Sequence, residues 1–293
     1  MSNDGYLQFA AVARKEIGLD SARDDQADSA MTENERSPYT SRIIKAGALL
    51  TDTTALFEHW EESESVAGNL DRLQRENIFG KTSRSRIGDI LAIFHQRYLV
   101  DASTTKALAY LVKNRFPKSA LDRIFYFYSA QSDRLLHDLV TDVLADFYTR
   151  GKTEVRVDDI QRIITQWVRE GKTTARWSEY TIRRVAQGLL ATLRDFGVLQ
   201  GAANKRIAPP SLPVTAFSYI AFYLRAGQAS GERVLQSKEW ALFFLSTNEV
   251  ERLFMEAHQQ RLLEYHAAGS VIRINFPSES LEDYARVISE RAI

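Results

Sequence analysis

The 293 residues carry 38 Lys plus Arg against 38 Asp plus Glu and are 44% hydrophobic, so ordinary buried cores are within reach and no whole-molecule field draws the chain to nucleic acid. Any basic surface has to be local. The absence of Cys excludes disulfides, thiolate zinc sites and a cysteine nucleophile, and no apolar run approaches the roughly 18 to 20 residues of a membrane span. A cytoplasmic protein with no membrane partner is expected.

Residues 1–37 hold eight acids against four bases and few large apolar side chains, which reads as an acidic mobile tail. From Pro38 the chain becomes periodic. A helix is predicted over 39–50, then one capped by Asp52 or Thr53 and carrying Leu56 and Trp60, then one over 65–76. A break at 77–82 contains Gly80, suited to a left-handed turn, and Thr82 or Ser83 caps a helix over 84–99 with Ile87, Ile90, Leu91, Phe94 and Tyr98 on one face. Helix, glycine turn, helix is the helix-turn-helix pattern. Between Lys81 and Lys118 stand eight bases and two acids, a local excess in a neutral chain.

Two more helices are predicted over 104–115 and 120–129, the second with the run Phe125, Tyr126, Phe127, Tyr128. Adjacent aromatics face several ways, which assigns them to packing between helices, with a base-stacking platform as the alternative. A helix over 132–149 then leads into the stretch 153–213, which contains in series a short strand (153–157), a helix started by Asp158 or Asp159, a turn, a helix capped by Ser178 and running to Phe196, and a hairpin (198–200 and 206–208). Helix, strand, helix, helix, strand, strand is the order of a winged helix. Beyond it come a helix over 214–225, a Gly/Ser break, helices over 238–245 and 248–267, a strand over 271–276 and a last helix from Ser280.

The fold class expected is therefore mainly α: an acidic tail (1–37), an N-terminal helix-turn-helix-like bundle (38–130), a central winged helix with a small β-hairpin wing (131–213) and a C-terminal helical domain with a short strand (214–293). A reading helix needs short polar and guanidinium side chains on the exposed face of its first turns, where they reach base edges and phosphates. Ser178, Tyr180, Thr181, Arg183, Arg184 and Gln187 meet that need, Arg176 lies in the turn before them, and Lys205 with Arg206 lies where a wing touches the neighbouring backbone. In the first unit Lys81, Ser83, Arg84 and Arg86 hold the same positions. For the winged unit the alternative is a winged helix used only for protein contact, its bases solvated; for the first unit it is a helical hairpin that has this composition by chance.

Enzyme readings find little support. Gly80-Lys81-Thr82 lacks the upstream glycine of a Walker loop, no GxSxG occurs, and the five histidines are scattered, His258 and His266 being eight apart on one predicted helix and too far for an i, i+4 metal pair. Surface or packing roles are expected for all five, with no catalytic residue, cofactor or metal.

The runs 37–60 (SPYTSRIIKAGALLTDTTALFEHW) and 177–213 (WSEYTIRRVAQGLLATLRDFGVLQGAANKRIAPPSLP) together resemble the BrxA family of bacterial BREX phage-defence systems, a group that has also carried an inner-membrane label. The marks are Ala46-Gly47-Ala48-Leu49-Leu50, Ser178 with Thr181 at the start of the late helix, and Gly197, Ile207 and Pro209 around the wing. The resemblance implies a mostly helical, non-catalytic accessory protein whose partners are double-stranded DNA and other BREX proteins. Its competing form is a scaffold that docks those proteins without binding DNA itself.

Overall fold

Tyr39 shows how the first part of the chain is held: its N–H donates to the Lys172 carbonyl at 2.7 Å and its carbonyl accepts from the Thr174 N–H at 3.0 Å. The computed structural model describes residues 38–291 except Ala229 and Ser270, and the acidic tail expected over 1–37 lies outside them. After Tyr39 comes a single helical turn, α1 (Ile43–Ala46). The predicted helix over 39–50 is broken there, because Gly47 and Leu49 both take positive φ (53°) and redirect the chain. As a result α2 (Leu50–Glu58) begins on left-handed Leu49, and neither Asp52 nor Thr53 caps it. Those side chains are engaged elsewhere: Asp52 pairs with Lys81 at 2.9 Å and Thr53 donates to the Leu49 carbonyl at 2.9 Å.

The next helices follow their caps. Ser65 accepts from the Gly68 N–H at the start of α3 (Val66–Glu76), Ser83 from the Arg86 N–H at the start of α4 (Arg84–Tyr98), and Asp101 from the Thr104 N–H at the start of α5 (Ala102–Lys113). Asn77 and Gly80, both at positive φ, turn the chain between α3 and α4. Helix α6 (Lys118–Ser132) follows Pro117 and is the hub of the core. Phe125 stacks on Phe57 at 6.2 Å, Tyr126 meets Phe243 edge-on at 5.6 Å, Phe127 meets Tyr223 at 5.4 Å, and Tyr128 shares a 3.0 Å hydroxyl contact with Tyr219. All four rings are buried, so they pack helices together and no base can stack on them.

The predicted helix over 132–149 starts two residues later: α6 runs to Ser132, and the Asp133 carboxylate accepts from the Leu136 N–H at 3.2 Å and caps α7 (residues 134–149). Its middle, Leu139–Leu144, is π-helical, with Leu139, Val140 and Leu144 buried. Strand β1 (Glu154–Val155) follows, then α8 (Val157–Arg169), which starts from Arg156 with no side-chain cap, so Asp158 and Asp159 lie inside its first turn. After α9 (Glu179–Asp195) the hairpin β2 (Leu199–Gln200) and β3 (Lys205–Ile207) closes a three-stranded antiparallel sheet in the order β1-β3-β2, with Glu154 opposite Arg206 and Leu199 opposite Ile207.

The remaining chain forms α10 (Val214–Ala226), α11 (Gly231–Leu235), a 3-10 helix (Lys238–Phe243), α12 (Thr247–Gln259), the hairpin β4 (Glu264–Ala268) and β5 (Val271–Asn275), and α13 (Leu281–Glu290). Here the predicted helix over 248–267 is corrected. Arg261 turns the chain at φ 58°, and residues 264–268 pair with β5 instead of continuing α12. That fold-back brings the His258 and His266 rings to 5.6 Å, adjacent after all, although no three His, Asp or Glu side chains form a metal cluster among the described residues. Helix α13 returns to α5, where Arg286 lies over the Tyr110 ring at 4.6 Å and Glu282 meets Lys106 at 3.6 Å. The architecture is mainly α, and one hydrophobic core runs from Tyr39 to Ile288. No described helix is long and apolar enough to cross a membrane.

Gly188, in the middle of α9, faces α1 so closely that a Cβ there would stand 3.2 Å from the Ile43 carbonyl oxygen, which is backbone and cannot swing aside. Gly188→Val is therefore expected to destabilise the protein by about 1–3 kcal/mol. Thermal denaturation followed by circular dichroism measures this, and an unchanged midpoint would mean that α1 is free to move away.

Candidate nucleic-acid interface

Helix α9 is built to present one face outward. Its apolar positions Ile182, Val185, Ala186, Leu189, Leu190 and Leu193 are buried, which leaves Tyr180, Arg183, Arg184, Gln187 and Arg194 on the opposite, exposed arc. Ser178 Oγ accepts from the Thr181 N–H at 3.2 Å and lies 3.0 Å from the Thr181 hydroxyl, so both residues also serve the start of the helix. Arg176, Tyr180, Arg183, Arg184 and Gln187 have no hydrogen-bond or ion-pair partner among the described residues. Tyr180 is 70% exposed, the largest figure among the exposed large hydrophobic side chains.

The turn ahead of α9 is fixed from both sides. Trp177 is buried, and Lys172 and Thr174 are tied to Tyr39, whose ring lies 5.0 Å from that of Trp167. On the hairpin Arg206 is exposed opposite Glu154. Hydrogen bonding from Arg156, at 3.0 Å, with a smaller contribution from Arg206, holds the Glu154 carboxyl below its ordinary value. Lys205 is half-buried and folds back on the hairpin tip, its Nζ donating to the Ala202 carbonyl at 2.9 Å.

The first basic unit is arranged differently. Lys81 is paired with Asp52, Ser83 caps α4, and Arg86 donates to the Lys45 carbonyl at 2.7 Å, which leaves Arg84 as the exposed guanidinium without a partner among the described residues. The structure thus places Tyr180, Arg183, Arg184 and Gln187 on the exposed face of α9 with Arg176 exposed in the turn before it, and sets Lys81 and Arg86 to internal contacts. Sequence reasoning did not single out Arg42 and Lys45, both exposed on the α1 turn that touches α4 and α9. The signal was present in Ser41-Arg42-Ile43-Ile44-Lys45, but the predicted helix hid its meaning.

A profile of the BrxA family matches residues 37–223, from the segment that carries Tyr39 to Tyr223 in the last turn of α10. The chain belongs to the BrxA family. No curated protein and no solved structure matches it. Membership in BrxA implies a BREX-associated role. The match spans α4, α9 and the three-stranded sheet, and it stops before α11, β4, β5 and α13.

The core contains a buried charge network that no motif announced. His137 Nε2 lies 3.2 Å from Glu239 Oε2 and its Nδ1 3.1 Å from Asp138 Oδ1, while Tyr39 donates to Asp138 Oδ2 at 2.7 Å. Burial opposes charge on the imidazole, but the hydrogen bonds to Asp138 and Glu239 outweigh it and raise the His137 pKa to about 9. Burial likewise works against the Asp138 carboxylate, and the His137 and Tyr39 hydrogen bonds prevail and keep its pKa low. His137 is therefore an ion-paired core residue, joining α7 to the 3-10 helix and, through Asp138, to Tyr39.

Proposed function

We propose that this BrxA protein is a non-catalytic, double-stranded DNA-binding component of a BREX system that uses its central segment as a winged helix. One observation carries the reading: the unpartnered, exposed set Arg176, Tyr180, Arg183, Arg184 and Gln187 occupies the turn before α9 and the first turns of that helix, where a reading helix meets a groove. The exposed Arg206 on the adjoining hairpin supports it, since a wing in that position meets the flanking backbone. Guanidinium groups left free on a surface of balanced overall charge suit phosphate, and the Tyr and Gln among them suit modest contact with bases.

Salt titration tests this. With Arg176, Arg183, Arg184 and Arg206 each neutralising a phosphate, the logarithm of affinity for unrelated duplexes should fall against the logarithm of salt, these four contacts alone contributing about −3.6 to the slope. Fluorescence anisotropy on labelled duplexes of unrelated sequence reads that slope. Absence of binding at low salt, together with capture of another BREX protein by the same chain, would favour the scaffold reading instead.

A further inference from the structure

The two basic helices are joined through α1. Arg86 donates to the Lys45 carbonyl at 2.7 Å, Lys45 Nζ reaches Asp89 Oδ1 at 3.4 Å, and Arg97 donates to the Gly47 carbonyl at 3.0 Å, so this turn is fastened along α4. On its other side the Ile43 carbonyl oxygen and Ile44 Cα stand 3.2 and 3.6 Å from the Cβ position of Gly188 in α9. Packed helices lie about 8–10 Å apart, which puts the axes of α4 and α9 within about 20 Å of each other across α1. Arg84 is two positions before Arg86, and Arg184 is one helical turn before Gly188, so the outward guanidinium groups sit close to this junction.

Duplex geometry then restricts how both helices reach DNA. Successive major grooves on one face of B-DNA are about 34 Å apart, whereas a single major groove is about 12 Å wide. Helices about 20 Å apart fit one groove and its bordering backbone, and cannot occupy two successive grooves. Resting on the DNA-binding reading above, we infer that α1 and the start of α4 form a phosphate clamp: with α9 in the major groove, Lys45 and Arg84 contact the backbone bordering that same groove.

The side chains suit phosphate and not base edges. Arg84 has no partner among the described residues, and Lys45 is 67% exposed with a 3.4 Å ion pair to Asp89, a surface contact that a phosphate displaces at little cost. Next to Arg84 the exposed surface offers Ser85, with none of the Arg, Gln and Tyr grouping of α9. Arg86, committed to the Lys45 carbonyl, is a positioning residue that holds the clamp in register with α4.

The test uses the full chain and fluorescein-labelled duplexes of about 12, 16 and 24 base pairs, with wild type, Lys45→Gln plus Arg84→Gln, and Arg183→Glu plus Arg184→Glu. Circular dichroism checks that each variant is folded. The clamp predicts that affinity, divided by the number of binding registers, levels off by about 16 base pairs, and that the Lys45 and Arg84 variant lowers the salt slope by about 1.8 on every duplex that binds. A per-register affinity that keeps rising to the longest duplex, and loses that rise in the Lys45 and Arg84 variant, would show two separate grooves and overturn the clamp. An unchanged slope in that variant, with binding still lost on Arg183 and Arg184 reversal, overturns the clamp alone. Wild type that binds no duplex brings down both readings.

Discussion

Arg183→Glu combined with Arg184→Glu is expected to weaken duplex binding by about 100-fold or more at roughly 0.1 M salt, with the fold intact. Each phosphate contact contributes a salt exponent of about 0.9, or about 8-fold at that concentration, so two lost contacts amount to about 60-fold. Placing carboxylates against the backbone adds repulsion to that loss. Both side chains are exposed and without partners among the described residues, and Glu is a good helix former, so little of the effect should come through stability. Anisotropy titrations beside circular dichroism spectra and melting curves check this. Binding within a few-fold of wild type would remove α9 from the interface.

The largest effect on stability is expected at Glu239. Glu239→Ala leaves His137 buried with Asp138 as its remaining carboxylate partner, and breaking a buried pair from one side costs about 3–5 kcal/mol. For a unit of this size that corresponds to a melting point lower by about 10 °C, measurable by calorimetry. The sign of the pH dependence follows from the raised His137 pKa. Its contribution is complete below the ordinary histidine value of 6.5 and is lost as pH rises through about 9, where the imidazole deprotonates in the folded state. Wild type should thus lose stability between those values relative to His137→Gln. Parallel pH profiles of the two proteins would contradict the assignment of charge to His137.

The parts of this fold that were legible in the sequence are those determined locally. Ser65, Ser83, Ser178 and Ser280 announce helix starts through a hydroxyl that reaches an amide three residues on, and all four act as caps. Gly197 ends α9 by taking φ 71°, and the short strands 154–155, 199–200 and 205–207 fall within or beside the alternating segments read from the chain. What was not legible depends on distant partners. The break at Gly47 and Leu49 serves contacts of α1 with α4 and α9, neither of which the periodicity of residues 39–50 encodes. The run 264–268 has apolar spacing compatible with a helix, and pairing with β5 decides otherwise.

The candidate interface divides along the same line. That bases and short polar groups cluster at 176–187 could be read directly, because residues on one helix share a face by their spacing. Which bases remain free could not. Lys81 is taken up by Asp52 and Arg86 by the Lys45 carbonyl, contacts across 29 and 41 positions. His137 and Glu239, 102 positions apart, gave no hint of each other.

The attachment of Tyr39 to the Lys172–Thr174 backbone bears on how the chain is made. Its bridging partner, Thr173, follows it by 134 positions, so at about 5–20 residues per second it leaves the ribosome about 7–27 s later. Through that interval the Tyr39 ring lacks its Trp167 neighbour and the Ile43 backbone lacks Gly188. The first helices can gather during synthesis, but the turn ahead of α9 acquires its final shape only when a segment translated long before comes back to meet it.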